Sequence, residues 1–257
     1  MKILITGATS GIAYEVAKEL IKKNHKLYLT AHTIKEVVNL RKKLKQENLE
    51  ATCLKLDILT DINIIENLEI DVLWNHIGIG TSGSLLYTKE EAIRDIYEVN
   101  VFKNFELIKK AYHKMLKQNY GKIFITSSLI GMYPLPFLEI YSSSKIAISQ
   151  IVKALAKEQK TLNSNIKFSL IEPGAYPTGY NEEMIGNIEK YTDMNKYPIF
   201  YNVIKYQKKL FLLLESNNTK KLVRKITKEI EKENPKKILR IPKIQGLLLK
   251  LYFLTFC

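Results

Sequence analysis

Tyr141 and Lys145 bracket three serines in the run Tyr141-Ser142-Ser143-Ser144-Lys145, and Ser128 lies thirteen residues before the tyrosine. Residues at i and i+4 of a helix share a face, with Cβ atoms about 5–6 Å apart. The spacing matters because a tyrosine hydroxyl of pKa ~10 is a poor acid or base at neutral pH. An ammonium about 4 Å away in a half-buried site favours the phenolate by up to about 4 kcal/mol. At ~1.4 kcal/mol per pKa unit, Tyr141 is expected to fall by up to about three units, into the working range of an acid–base catalyst. Ser128, at the end of an apolar run, is placed to hold a substrate oxygen. Taken alone, a Tyr-x-x-x-Lys pair is usually an ordinary surface pair.

A second group sits at the N-terminus. Apolar residues 2–5 lead into Thr6-Gly7-Ala8-Thr9-Ser10-Gly11-Ile12-Ala13. Gly7 permits a tight turn, and Gly11 lets the backbone approach a pyrophosphate. A helix opening there offers unpaired N–H groups and a positive dipole end to an anion. Ala13 stands where a third glycine commonly eases helix–strand packing.

These groups need a scaffold, and the chain alternates short apolar runs with longer amphipathic ones, as βαβ units do. Strands are predicted at 2–6, 26–30, 52–56, 72–75, 122–126 and 167–171, with a further one near 238–241. Helices are predicted over about 11–23, 34–47, 88–118 and 140–161. In the last, Ile148, Ile151, Val152 and Leu155 form a buried stripe. The expected organisation is a single domain over 1–257. Within it, 176–235, punctuated by Pro177, Gly179, Gly186 and Pro198, reads either as a lid or substrate-binding segment or as a helical hairpin completing the core.

The 257 residues are 46% hydrophobic and 26% charged, which excludes disorder and fibrous repeats. Cys53 and Cys257 are too few for a disulfide framework or a four-cysteine zinc site, and a cytoplasmic setting is expected. The early glycine turn makes a signal peptide unexpected, and no apolar run reaches the roughly 18–20 residues of a membrane span. The net charge of +14 is carried almost wholly by lysine, with arginine only at 41, 94, 224 and 240. Base and phosphate readers favour arginine's planar fork, so a solvated lysine surface is expected and no nucleic-acid partner. Residues 181–257 hold 16 basic against 8 acidic residues, a net +8.

In order and spacing these motifs resemble the short-chain dehydrogenase/reductase superfamily, in its branch of roughly 250-residue soluble oxidoreductases. The resemblance covers about residues 1–178. It implies an α/β fold: a doubly wound Rossmann domain with a central parallel sheet of about seven strands flanked by helices. It also implies a catalytic tetrad of Asn100, Ser128, Tyr141 and Lys145. Ser128 would position the carbonyl or alcohol oxygen and Tyr141 would pass its proton. Lys145 would lower the tyrosine pKa and bind the nicotinamide ribose, and Asn100 would support a proton relay through water. Cofactor contacts are implied for Gly7, Thr9, Ser10, Gly11 and Ile12 in the first turn. Further contacts fall at Asp57 and Ile58 near the adenine, at Asn75, His76 and Gly78, and at Pro173, Gly174, Tyr176 and Thr178 in the Pro-Gly-x-x-x-Thr turn. The chain departs from the pattern at Ala13, His76 and Ile77. Ile77 is expected to crowd the adenosine ribose, His76 to be a hydrogen-bonded structural histidine rather than a metal ligand, and Tyr176 either to line the site or to pack.

NAD-preferring members place an acid where Ala31 stands. Its absence, with His32, Thr33 and Lys35 nearby, favours NADP(H), with NAD(H) as the alternative. The function expected is hydride transfer between nicotinamide and the carbonyl or alcohol of a hydrophobic small molecule or acyl chain; the alternative is a catalytically silent cofactor-binding protein. A homodimer or homotetramer is expected. The tail 246–257, with one charge, reads either as a peripheral membrane contact or as a segment packed on protein.

Overall fold

The computed structural model describes residues 1–132, 135–242, 244–247 and 251. Seven strands, β1 (Lys2–Ile5), β2 (Lys26–Ala31), β3 (Thr52–Lys55), β4 (Val72–Asn75), β5 (Gly121–Thr126), β6 (Ile166–Pro173) and β7 (Ile238–Ile241), form one parallel sheet in the order β3-β2-β1-β4-β5-β6-β7. The chain order reverses between β1 and β4, and the carboxyl ends of these neighbours open the crevice in which such sheets bind ligands.

Helices cover both faces because the strands are apolar on both. In β1, Ile3 and Ile5 point into one layer and Leu4 into the other. The first layer holds α1 (Gly11–Lys22) and α2 (Ile34–Gln46). The second holds α4 (Asn104–Lys117) and α5 (Glu139–Thr161), with a 3-10 turn at Ile62–Asn67. Ala13 is fully buried in the first layer, so its methyl is accommodated.

The single helix expected over 88–118 is interrupted. It runs as α3 (Glu90–Tyr97), then a π-helical stretch at Glu98–Lys103, then α4. The Asn104 side chain donates from Nδ2 to the Val99 carbonyl at 2.7 Å, five residues back. A side chain inserted into the helical ladder is a recognised cause of such a widened turn. Hydrophobic periodicity cannot reveal it, because the apolar face continues on both sides.

Segment 176–235 divides in two. First come α6 (Tyr180–Gly186), α7 (Ile188–Tyr191) and α8 (Phe200–Leu214), whose inward side chains pack with Leu138 and Tyr141 in a separate apolar cluster. Then α9 (Thr219–Glu231) buries Leu222, Val223, Ile226 and Ile230 in the first helical layer. Each such aliphatic side chain contributes about 1.5–3 kcal/mol when fully buried. Of the tail 246–257, residues 248–250 and 252–257 lie outside the described residues.

Candidate active site

A cleft of about 900 Å³ follows the carboxyl ends of the central strands. Its floor at β1 is the expected glycine turn. Gly7 and Gly11 both adopt left-handed backbone, φ +63° and +61°, which side chains rarely tolerate. A Cβ built at Gly11 would lie 3.4 Å from Thr178 Cβ, so the turn closes against the one after β6. Ser10 caps α1 without a side-chain hydrogen bond, and the first turn carries no acidic residue. The positive end of α1 is therefore open to an anion. Thr9, Ser10, Ile12, Ala31, His32, Asp57, Ile58, His76 and Gly78 line the same cleft, with Pro173, Gly174, Tyr176 and Thr178 opposite.

The first two turns of α5 bring Tyr141 and Lys145 into this cleft beside Ser128. All three are buried. Serines lock the helix to the end of β5: Ser127 Oγ donates to the Lys145 carbonyl at 3.0 Å, and Ser149 Oγ donates to Ser127 Oγ at 2.7 Å. Lys145 Nζ points at the Thr126 carbonyl, 3.5 Å away, and stands 5.6 Å from the centroid of the Tyr141 ring. No carboxylate pairs with it among the described residues, and burial alone pushes its pKa down to about 8.

The protonation of Tyr141 therefore departs from expectation. Burial raises its pKa above 10, opposed by the hydroxyls of Tyr180 and Ser128 rather than by the ammonium. The physical reason is that a desolvated lysine turned towards a carbonyl gives the phenol little compensation for its own desolvation.

Three other expected site residues are tied into the scaffold. Asn100 sits in the π-helical stretch, fully buried. Its Oδ1 accepts from Ile79 N at 2.8 Å, and its Nδ2 donates to Ile79 O at 2.8 Å and to Ser144 Oγ at 3.0 Å. Both side-chain hydrogens bind Asn100 to the loop after β4 and to α5. Asn75 is buried behind the cleft, accepting from Thr6 Oγ1 at 2.9 Å and donating to Asn104 Oδ1. It ties β1, β4 and α4 together. Thr33 forms a capping box with Glu36, whose carboxylate accepts from Thr33 N at 2.9 Å while Thr33 Oγ1 accepts from Glu36 N at 3.2 Å. The box occupies the Thr33 backbone N–H and leaves the hydroxyl hydrogen available, while Glu36 itself lines the cleft.

His76 bonds through Nδ1 to Thr126 Oγ1 at 2.9 Å and packs edge-on against Trp74. Burial, with the nearby Lys145 charge, holds its pKa down at about 4, so it is neutral at pH 7. Among the described residues no group of three metal-ligating side chains exists. Tyr176 both lines the cleft and packs in the core, its hydroxyl pushed up to about 12 by burial. Ile77 lines the cleft too, with Cγ1 3.6 Å from a Cβ built at Gly7.

Sequence reasoning missed Tyr180. It follows Gly179, whose φ of +83° turns the chain into α6, and its ring centroid lies 6.1 Å from that of Tyr141. The Tyr180 hydroxyl is buried without a hydrogen bond of ordinary geometry. Its position just after the Pro-Gly-x-x-x-Thr turn was the available signal.

The arrangement fits a dinucleotide on its own geometry. Two positive-φ glycines face an uncapped helix end, and a Cβ built at Gly78 would lie 2.8 Å from Lys145 Nζ. A family model described as short chain dehydrogenase matches residues 1–188. The chain belongs to that family. Short-chain dehydrogenase relatives include retinol dehydrogenase 8 of Homo sapiens, 29% identical over 201 residues, or 72% of this chain and 62% of that protein. The match thus spans less than two thirds of that relative. A 3-ketodihydrosphingosine reductase of Bacteroides thetaiotaomicron is 30% identical over 204 residues, 74% of this chain and 71% of that protein. The fold is shared with a short chain dehydrogenase/reductase of Burkholderia phymatum solved in complex with NAD. That likeness has TM-score 0.82 and 18% identity over 97% of this chain and 92% of that one. A short-chain dehydrogenase of Sphingobium yanoikuyae in complex with NADPH gives TM-score 0.74 at 20% identity, over 99% and 94%.

Proposed function

We propose that this protein is a nicotinamide-dependent oxidoreductase that reduces a carbonyl, or oxidises the corresponding alcohol, on a hydrophobic small molecule or acyl chain. The observation that carries the reading is the meeting of Ser128, Tyr141 and Lys145 at one end of the dinucleotide cleft. A bound nicotinamide dinucleotide supplies or accepts the hydride. Ser128 and Tyr141 hold the substrate oxygen, and the protonated phenol gives its proton as negative charge develops there. Lys145, with one face on the Thr126 carbonyl, keeps donors for the ribose hydroxyls. Asn100 acts as a positioning residue by fixing the loop at Ile79 to α5.

The substrate end is lined by Ile130, Tyr180, Met184 and Phe211, which supports an apolar substrate. Relatives named for retinol and 3-ketodihydrosphingosine agree with this. NADP(H) is the proposed cofactor, because Ala31 leaves room for a 2′-phosphate and the exposed Lys35 lies nearby. Two constraints limit its margin over NAD(H): His32 Nε2 is 3.4 Å from Asp57 Oδ2, and Glu36 adds a carboxylate to the cleft wall. Exposed Phe102, Leu116, Ile151 and Leu162 on the sheet's second helical face support a homo-oligomer. Among the described residues no helix is long and apolar enough to cross a membrane. A cytoplasmic protein is proposed.

NADPH and NADH oxidation across a panel of aldehydes, ketones and acyl thioesters tests the reading. Turnover of at least one apolar carbonyl is expected, with Tyr141→Phe retaining cofactor binding and losing at least about a thousandfold in kcat. Undiminished turnover in that variant overturns the assignment.

A further inference from the structure

The outer wall of the substrate end is unusual for a surface in water. On α8, Phe200, Val203, Ile204, Gln207 and Phe211 face inward, while Tyr201, Lys205, Tyr206, Lys208 and Lys209 face out. The helix then ends on Leu212 and Leu213, 71% and 76% exposed, next to the cleft-lining Phe211.

A second segment abuts this end. Gln245 donates from Nε2 to the Leu214 carbonyl and accepts from Ala175 N at 3.2 Å. A Cβ built at Gly246 would lie 3.6 Å from Leu129 Cδ2, so that side of the segment rests on protein. Ile244 and Leu247 are left 71% and 58% exposed. Two stretches joined through Gln245 thus present four exposed aliphatic side chains at the lip of the cleft. The sequence continues as Leu248-Leu249-Lys250-Leu251-Tyr252-Phe253-Leu254-Thr255-Phe256-Cys257, with a single charge.

Charge decides what this surface suits. Residues 196–214 hold four lysines and no acidic residue; residues 234–257 hold four lysines and one arginine, again with no acidic residue. Of these nine, Arg240 is paired with Glu172. A second copy of the chain docked face to face would set these cations against each other. An anionic bilayer offers both acyl chains for the leucines and negative headgroups for the lysines, with tyrosines suited to the boundary.

We infer that the C-terminal end of α8 and residues 244–247 form a docking surface for anionic lipid membrane, which places the cleft mouth against the bilayer so that apolar substrate enters from it. The entry clause rests on the proposed reaction; the docking surface does not.

The test uses the full chain with vesicles of phosphatidylcholine, with or without phosphatidylserine. Co-sedimentation is expected with the mixed vesicles and to be much weaker with phosphatidylcholine alone. The double variant Leu212→Glu/Leu213→Glu is expected to lose at least about tenfold in vesicle affinity. It should keep wild-type turnover of a water-soluble aldehyde while losing turnover of a vesicle-borne one. Lys208→Glu/Lys209→Glu should weaken binding to the mixed vesicles alone. Absence of wild-type binding, equal binding to both vesicle types, or unchanged binding in the leucine variant overturns the proposal. So does light scattering showing that the leucine variant instead splits an oligomer. If the wild type binds vesicles but turns over no carbonyl, the docking surface stands and the oxidoreductase reading falls.

Discussion

Lys145 Nζ and Gly78 are in van der Waals competition: a methyl group at position 78 would lie 2.8 Å from the ammonium and 3.3 Å from Asn100 Oδ1. The backbone at Gly78 is not left-handed, so the glycine is required by the space the lysine occupies rather than by chain conformation.

Gly78→Ala therefore separates site geometry from folding. The far end of a lysine can swing aside at little cost to the fold, and thermal stability is expected within about 1 kcal/mol of wild type. The displaced ammonium can no longer hold the ribose, and kcat/KM should fall by about ten- to a hundredfold. Calorimetry and steady-state kinetics on the same preparation check both halves.

Lys145 costs stability to keep. Its folded pKa of about 8 lies below the ordinary 10.5, so the folded state carries the buried ammonium at full cost below pH 8. Between pH 8 and 10.5 the unfolded state binds more protons, and stability rises with pH as the cost is relieved. Lys145→Met should stabilise the cofactor-free protein at pH 7 by up to roughly 3 kcal/mol while abolishing turnover. Denaturant melts from pH 7 to 10.5 should show that gain shrinking above pH 8.

Glu36 places a carboxylate on the cleft wall, where it is expected to oppose a 2′-phosphate. Gln at this position keeps the capping box but removes the carboxylate from the cleft wall. Relief of about 1 kcal/mol of repulsion predicts a roughly fivefold rise in the preference for NADPH over NADH. The ratio of kcat/KM values for the two cofactors measures it, and an unchanged ratio removes Glu36 from the 2′-phosphate environment.

Tyr180 packs beside Tyr141 in the cleft. Tyr180→Phe removes a buried hydroxyl with no bond of ordinary geometry, and should stabilise the fold by up to about 1 kcal/mol. The same change takes away one of the two groups that oppose the rise of the Tyr141 pKa. The acidic limb of the rate profile for alcohol oxidation, where the phenolate base is lost by protonation, should move to higher pH. A profile that stays in place separates the two tyrosines functionally.

The chain by itself determined the seven strands within a residue or two at most ends, because each is a short apolar run between polar turns. It also determined the cleft-forming groups, whose types and order are local properties: Gly7 and Gly11 after β1, Ser128 after β5, and Tyr141 and Lys145 one turn apart on α5. Tertiary structure alone decided how those groups behave. The π-helical stretch depends on Asn104 reaching Val99, and the protonation of Tyr141 on burial beneath α6 and α8. Glu36 and Tyr180 belong to the site because the chain folds them back over it. Hydrophobic periodicity records which residues avoid water; desolvation and hydrogen-bond competition arise only once distant segments are packed against one another.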